Sequence, residues 1–139
     1  MRIISVIVIT VVGVCSSLPV FSQIRGGFKD LEAHLFMDKI LEENNHLLID
    51  VRPEEDFQKN RISGAINAPN SEVMNSILDT IDQERPVLLY CLYGQRSKMA
   101  AVKILEKYSL SLYHLEGGIR AWEKARFELD KKRIRKKKG

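Results

Sequence analysis

The stretch Val87-Leu88-Leu89-Tyr90-Cys91-Leu92-Tyr93-Gly94-Gln95-Arg96-Ser97-Lys98 decides how this chain is read. A short, continuous apolar run predicts a strand buried on both faces, the mark of a parallel sheet. The run ends at a cysteine, and a loop with one glycine and one arginine follows. A helical pattern then runs from about Arg96 to Tyr108, with Ala101, Ile104, Leu105 and Tyr108 at i, i+3, i+4 and i+7. A cysteine in that place meets unpaired backbone N–H groups and the positive end of a helix dipole. Both favour the thiolate, the form in which cysteine acts as a nucleophile. Read from the loop alone, the alternative is an inert, small hydrophobe at a strand end.

Upstream, His46 to Val51 is a second, mostly continuous apolar run and predicts another buried strand. Pro53 opens a helical turn through Phe57. Ser63 to Pro69 predicts a turn and a very short strand. Asn70 or Ser71 caps a helix that turns Val73, Ile77, Leu78 and Ile81 toward a core. Before all of these, Phe28 to Glu43 has helical spacing, with Phe28, Leu31, Leu35 and Phe36 on its apolar face. Downstream, Ser111 to Leu115 predicts a strand, Glu116-Gly117-Gly118 a turn, and Ile119 to Ala125 a last helix with Trp122 in the core. Strands alternating with helices give an α/β domain with a parallel sheet, whose ligand crevice lies beyond the carboxyl ends of the strands.

The 139 residues suit one domain. Met1-Arg2, an apolar run from Ile3 to Val14, and a stretch of small residues with Pro19 follow the order of a secretory signal peptide. Cleavage is expected near Ser22-Gln23, placing the protein outside the cytoplasm, in the periplasm; a retained anchor is the alternative. Removal of that segment takes Cys15 with it and leaves Cys91 as the lone cysteine, which points to a reactive thiol rather than a disulfide framework. There is no CxxC pair, and His34, His46 and His114 lack ligand spacing, so no metal site is expected and each histidine reads as an ordinary surface or boundary residue.

The net charge of +4 hides an asymmetry. Lys131 to Lys138 carries seven positive charges; without those and Arg2, 14 basic residues face 18 acidic ones, so the body is about −4. The basic tail, from residue 128 to 139, has the composition of a solvated end or of a contact with an anionic surface. It does not indicate a nucleic-acid enzyme.

Three further segments set the cysteine loop in an ordered series. Leu48-Ile49-Asp50-Val51-Arg52-Pro53-Glu54-Glu55-Asp56-Phe57 and Arg61-Ile62-Ser63-Gly64-Ala65-Ile66-Asn67-Ala68-Pro69 resemble the D-V-R…E-F/Y and H-I-x-G-A-x-N-x-P signatures of rhodanese domains. Cys91 to Ser97 resembles that family's active-site loop, and Leu115-Glu116-Gly117-Gly118-Ile119-Arg120-Ala121-Trp122 its L-x-G-G-x-x-x-W signature. The resemblance covers about residues 28–127. It implies a single-domain rhodanese with a central parallel sheet flanked by helices. The implied activity is transfer of a sulfane sulfur, from thiosulfate or an organic persulfide to a thiol or cyanide, through a persulfide on Cys91 and without a cofactor.

On that reading Cys91 is the nucleophile, and the amides of Leu92, Tyr93, Gly94, Gln95, Arg96 and Ser97 form an anion-binding nest that replaces an adjacent base. Gly94 lets the loop backbone turn inward, and the Arg96 guanidinium suits the oxyanion of a donor. Asp50 and Arg52 have a supporting role, holding loops by hydrogen bonds and ion pairing. Six residues from Cys91 to Arg96 match the sulfurtransferases; the fold's phosphatases resemble C-x5-R, and here that arginine position is Ser97. The chain departs from the pattern at Asn60 and Arg61, where glycine and histidine are usual. It also carries Leu92 and Tyr93 where many thiosulfate users are more polar. An apolar rim of that kind suits an organic persulfide or a protein acceptor. The competing class of function is a non-catalytic partner-binding or sulfur-carrier module on the same fold.

Overall fold

A computed structural model describes residues 27–132. The expected signal segment and the tail beyond residue 132 lie outside the described residues. Ten elements follow in order: β1 (Gly27–Leu31), α1 (Ala33–Glu42), β2 (Leu47–Asp50), α2 (Glu54–Lys59), β3 (Ile66–Asn67), α3 (Ser71–Leu78), β4 (Val87–Tyr90), α4 (Gln95–Lys107), β5 (Ser111–Leu115) and α5 (Gly118–Lys124). The five strands form one all-parallel sheet in the order β1-β5-β4-β2-β3, which makes β4 the central strand. Every residue of β2 and β4 is buried, as continuous apolar runs require when helices cover both faces.

Alternation along the strands divides the core in two. Leu47, Ile49, Val51, Val87, Leu89 and Cys91 pack with Met74 and Leu78 of α3 and Ala101 and Ile104 of α4. Leu48, Leu88 and Tyr90 face the other way, against Phe36 of α1 and Ile119 and Trp122 of α5. Cys91 therefore belongs to the α3/α4 side of the sheet. Asn70 caps α3, its side chain accepting from the Val73 N–H at 2.9 Å. Trp122 is buried and satisfies its indole N–H on the Glu128 carbonyl at 3.1 Å.

Two expectations need correction. The helix expected from Phe28 begins only at Ala33; residues 27–31 form β1, paired in parallel along β5. Phe28 and Leu31, three apart, imitate a helical face. As an edge strand with little burial, β1 lacks the apolar alternation that would reveal it. Leu35, placed on the apolar face, is 55% exposed, whereas Ala33 and Phe36 point into the core. The second correction concerns the tail. Its first part is docked: the backbones of Arg61 and Asp130 exchange two hydrogen bonds (2.9 and 2.8 Å), and Leu129 packs on the core, as does Phe127 just before the tail. The Arg61 side chain, buried, ties this segment down through the Asp130 carboxylate at 3.0 Å and the Lys132 carbonyl.

Candidate active site

The carboxyl end of β4 delivers Cys91 into a loop that closes at Gly94, the N-cap of α4. Gly94 has φ +99°, a conformation that L side chains rarely adopt. This turn brings the Gly94 N–H to 3.1 Å from the Cys91 sulfur. Ser97, fully buried in the first turn of α4, puts its hydroxyl 3.3 Å from the same sulfur and 3.1 Å from the Gly94 carbonyl. Cys91 itself is 3% exposed. The sulfur thus faces two donors at the positive end of a 13-residue helix, an arrangement that stabilises an anion.

The other side of the loop is held by α5. The Ile119 N–H donates to the Cys91 carbonyl at 2.8 Å, and the Arg120 N–H to the Leu92 carbonyl at 3.2 Å. That approach demands glycine at 118: a Cβ there would stand 2.5 Å from the Cys91 carbonyl oxygen and 2.6 Å from the Leu92 carbonyl. The Gly117-Gly118 turn expected from sequence is present, with both residues at positive φ. It also serves as the clamp on the loop.

Among the expected loop residues, Gly94 and Ser97 meet the sulfur directly, while Gln95, Arg96 and Tyr93 are exposed and Leu92 is partly buried. Arg96 lines a cavity of about 550 Å³ between α3 and α4, together with Lys103, Met74, Met99, Val51 and Ala68. Asp50 and Arg52 are both buried and bond to each other, the guanidinium reaching the carboxylate at 2.7 and 3.0 Å. Arg52 also donates to the Asn60 side-chain and backbone oxygens, and Asn67 donates to the Asp50 and Arg52 carbonyls. This pair fixes the loop after β2 and makes no bond to Cys91. Burial opposes the Arg52 charge, but Asp50 more than offsets it and raises the guanidinium's pKa. The neighbouring Tyr90 hydroxyl accepts from the Ile62 N–H at 3.1 Å, and burial, then the Asp50 charge, push its pKa well up.

The sequence reading missed His114. It is buried, not a boundary residue, and its ring joins the site: Nε2 lies 2.8 Å from the Gly94 carbonyl oxygen and Nδ1 2.8 Å from Asp30 Oδ1. Lys98 closes the group at 2.7 Å from Asp30 Oδ2. The available signal was positional, since His114 falls on the strand neighbouring the one that carries Cys91. Among the described residues no cluster of histidine, cysteine and carboxylate side chains could hold a metal ion.

A parallel α/β domain with a buried cysteine in a donor-lined loop between its central strand and a helix defines a rhodanese-type fold and site. The rhodanese-like domain family matches residues 33–125, and the chain belongs to that family. It is 30% identical over 98 residues to the thiosulfate sulfurtransferase GlpE of Shewanella oneidensis, covering 70% of this chain and 95% of that one. It is 33% identical over 86 residues to the adenylyltransferase and sulfurtransferase UBA4 of Meyerozyma guilliermondii, covering 57% of this chain but only 20% of that relative's length. In fold it is similar to a thiosulfate sulfurtransferase from Pseudomonas aeruginosa, with a TM-score of 0.66 at 21% identity over 74% of this chain and 20% of that one. Membership and relatives together support sulfur transfer as the general class of chemistry.

Proposed function

We propose that this domain is a sulfurtransferase in which Cys91 carries the sulfur as a persulfide. The observation that carries the reading is the pair of donors on the Cys91 sulfur, the Gly94 N–H and the Ser97 hydroxyl. They stabilise the Cys91 thiolate, the form that attacks the donor and that departs when the acceptor takes the sulfur. With thiosulfate, the Cys91 thiolate attacks the outer sulfur, a new S–S bond forms, and the old one breaks with its electron pair leaving on sulfite. A thiolate acceptor then attacks the terminal sulfur of the persulfide and leaves with it, and the Cys91 thiolate is regenerated. With cyanide as acceptor the product is thiocyanate. No external base is needed, since the attacking and leaving groups are all anions.

The cavity between α3 and α4, which Arg96 lines but Cys91 does not, has room for an organic partner close to the end of the loop. About 550 Å³ far exceeds what thiosulfate fills, and its walls combine Met74, Met99 and Ile104 with the cations Arg96 and Lys103. Those walls suit a carboxylate-bearing thiol or persulfide.

Intact-mass measurement after treatment with thiosulfate, and separately with an organic persulfide, tests the assignment. A gain of one sulfur on Cys91, lost on adding thiol and absent in Cys91→Ala, is expected. A folded protein that takes up no sulfur from either donor would instead identify a non-catalytic binding module.

A further inference from the structure

The Gly94 carbonyl has more donors around it than it can serve. A carbonyl oxygen offers two lone pairs. Around this one stand the Lys98 N–H at 3.0 Å, His114 Nε2 at 2.8 Å and the Ser97 hydroxyl at 3.1 Å. Ser97 has one proton and two acceptors, this carbonyl and the Cys91 sulfur. Whether His114 donates therefore decides where the Ser97 proton goes.

His114 also faces two acceptors, the Gly94 carbonyl and the Asp30 carboxylate, neither of which has a proton to give. A neutral imidazole has one N–H and one lone pair, so either tautomer would set a lone pair against an oxygen. The doubly protonated ring serves both. The titratable groups facing it are Asp30 from β1, Lys98 from α4 acting through Asp30, and Cys91 from the end of β4 across Gly94. The Phe28 ring, 5.9 Å away, adds no charge. The Lys98 hydrogen bond, against an opposing burial effect and with help from His114, holds the Asp30 carboxyl below its usual range, so it remains an acceptor.

We propose that His114 is a positioning residue: as an imidazolium anchored by Asp30, it occupies the Gly94 carbonyl and so directs the Ser97 proton to the Cys91 sulfur. The inference rests on the reading of Cys91 as the reacting group, but its test does not require sulfur transfer. The Cys91 thiolate is followed by its absorbance near 240 nm against Cys91→Ala, across pH, in the full chain and in His114→Leu and His114→Gln. At the pH where the wild type is half thiolate, His114→Leu is expected to show a thiolate-to-thiol ratio about fivefold lower, the size of one net hydrogen bond. His114→Gln, which keeps an N–H for the Gly94 carbonyl, is expected to restore most of it. Nitrogen-15 spectra of the ring should show both nitrogens protonated, and the Gly94 amide shift should move in step with ring deprotonation.

An unchanged ratio in folded His114→Leu, or a ring bearing a proton on Nδ1 alone while Ser97 still bonds the sulfur, overturns the proposal. Asp30→Asn is the second variant should His114→Leu fail to fold. It lies at a partly exposed site, and it is expected to lower the ratio in the same direction; no change there overturns the proposal equally. If these results hold and no donor loads sulfur, the transferase reading alone fails.

Discussion

Gly118→Ala tests how tightly α5 clamps the cysteine loop. The new methyl would meet backbone atoms on arrival, at 2.5 Å from the Cys91 oxygen and 2.6 Å from the Leu92 carbon and oxygen. None of these belongs to a flexible side chain, so α5 or the loop must retreat by about 0.9 Å to reach ordinary contact. Alanine at φ +62° costs about 1–2 kcal/mol by itself. Losing the Ile119 and Arg120 hydrogen bonds to the loop carbonyls adds roughly 1 kcal/mol each. The total is about 3–4 kcal/mol, to be read from urea unfolding. Gly64→Ala is the reference: φ is +82°, yet nothing stands within 4 Å of the added methyl, so only the conformational cost of about 1–2 kcal/mol applies. If the loop moves instead of α5, the Gly94 N–H leaves the sulfur, and sulfur loading at Cys91 should fall by about a hundredfold, the cost of a 1 Å misplacement. The measurement is the rate of persulfide formation in protein shown to be folded. Gly118→Ala no less stable than Gly64→Ala, and loading sulfur at the wild-type rate, would refute the clamp.

Two further perturbations address the supporting structure. Arg52→Ala strands the fully buried Asp50 carboxylate and is expected to cost about 3–5 kcal/mol in urea unfolding; the double variant with Asp50→Ala should cost less than the sum of the singles, a coupling read by the mutant cycle. Acid should weaken the fold through Asp30 and Asp130. The Lys98 hydrogen bond lowers the first, and the Lys132 backbone N–H, with Arg61, lowers the second, each against a burial effect of opposite sign. The unfolded chain, with carboxyls near the ordinary 3.8, then binds protons more readily, so this stability is present above about pH 4 and lost as pH falls through the depressed folded values. Melting temperatures from about pH 5 to about pH 2 should fall less steeply in Asp30→Asn than in the wild type.

The sheet's interior was readable because burial on both faces leaves a local mark. Leu47 to Asp50 is a mostly apolar run and Val87 to Tyr90 a continuous one, and each proved a fully buried strand in the parallel sheet. β1 left no such mark. Its stability comes from backbone bonds along β5, to which Lys29 and Asp30 contribute as well as any residue, so its sequence carries helical spacing by coincidence. Arg61 and Asn60 read as departures from the family pattern, and the structure gives each a partner: Arg61 binds the Asp130 segment, and Asn60 receives the Arg52 guanidinium.

The site divides along the same line. Both donors to the sulfur come from one contiguous stretch, Cys91 to Ser97, where strand end, positive-φ glycine and helix start are set by local chain geometry. A sequence can display that. The loop's carbonyls draw donors from elsewhere as well: Ile119 and Arg120 from α5, His114 from β5, and Asp30, through His114, from β1. A loop that brings its N–H to the sulfur also buries carbonyls, and a buried carbonyl needs a donor. The long-range half of the site is therefore a requirement of the short-range half, although the sequence does not show which residues meet it. In this chain part of that requirement falls to a histidine. The histidine reaches the Gly94 carbonyl from β5 and Asp30 from β1, so the two strands on one side of β4 hold the cysteine loop as α5 does from the other.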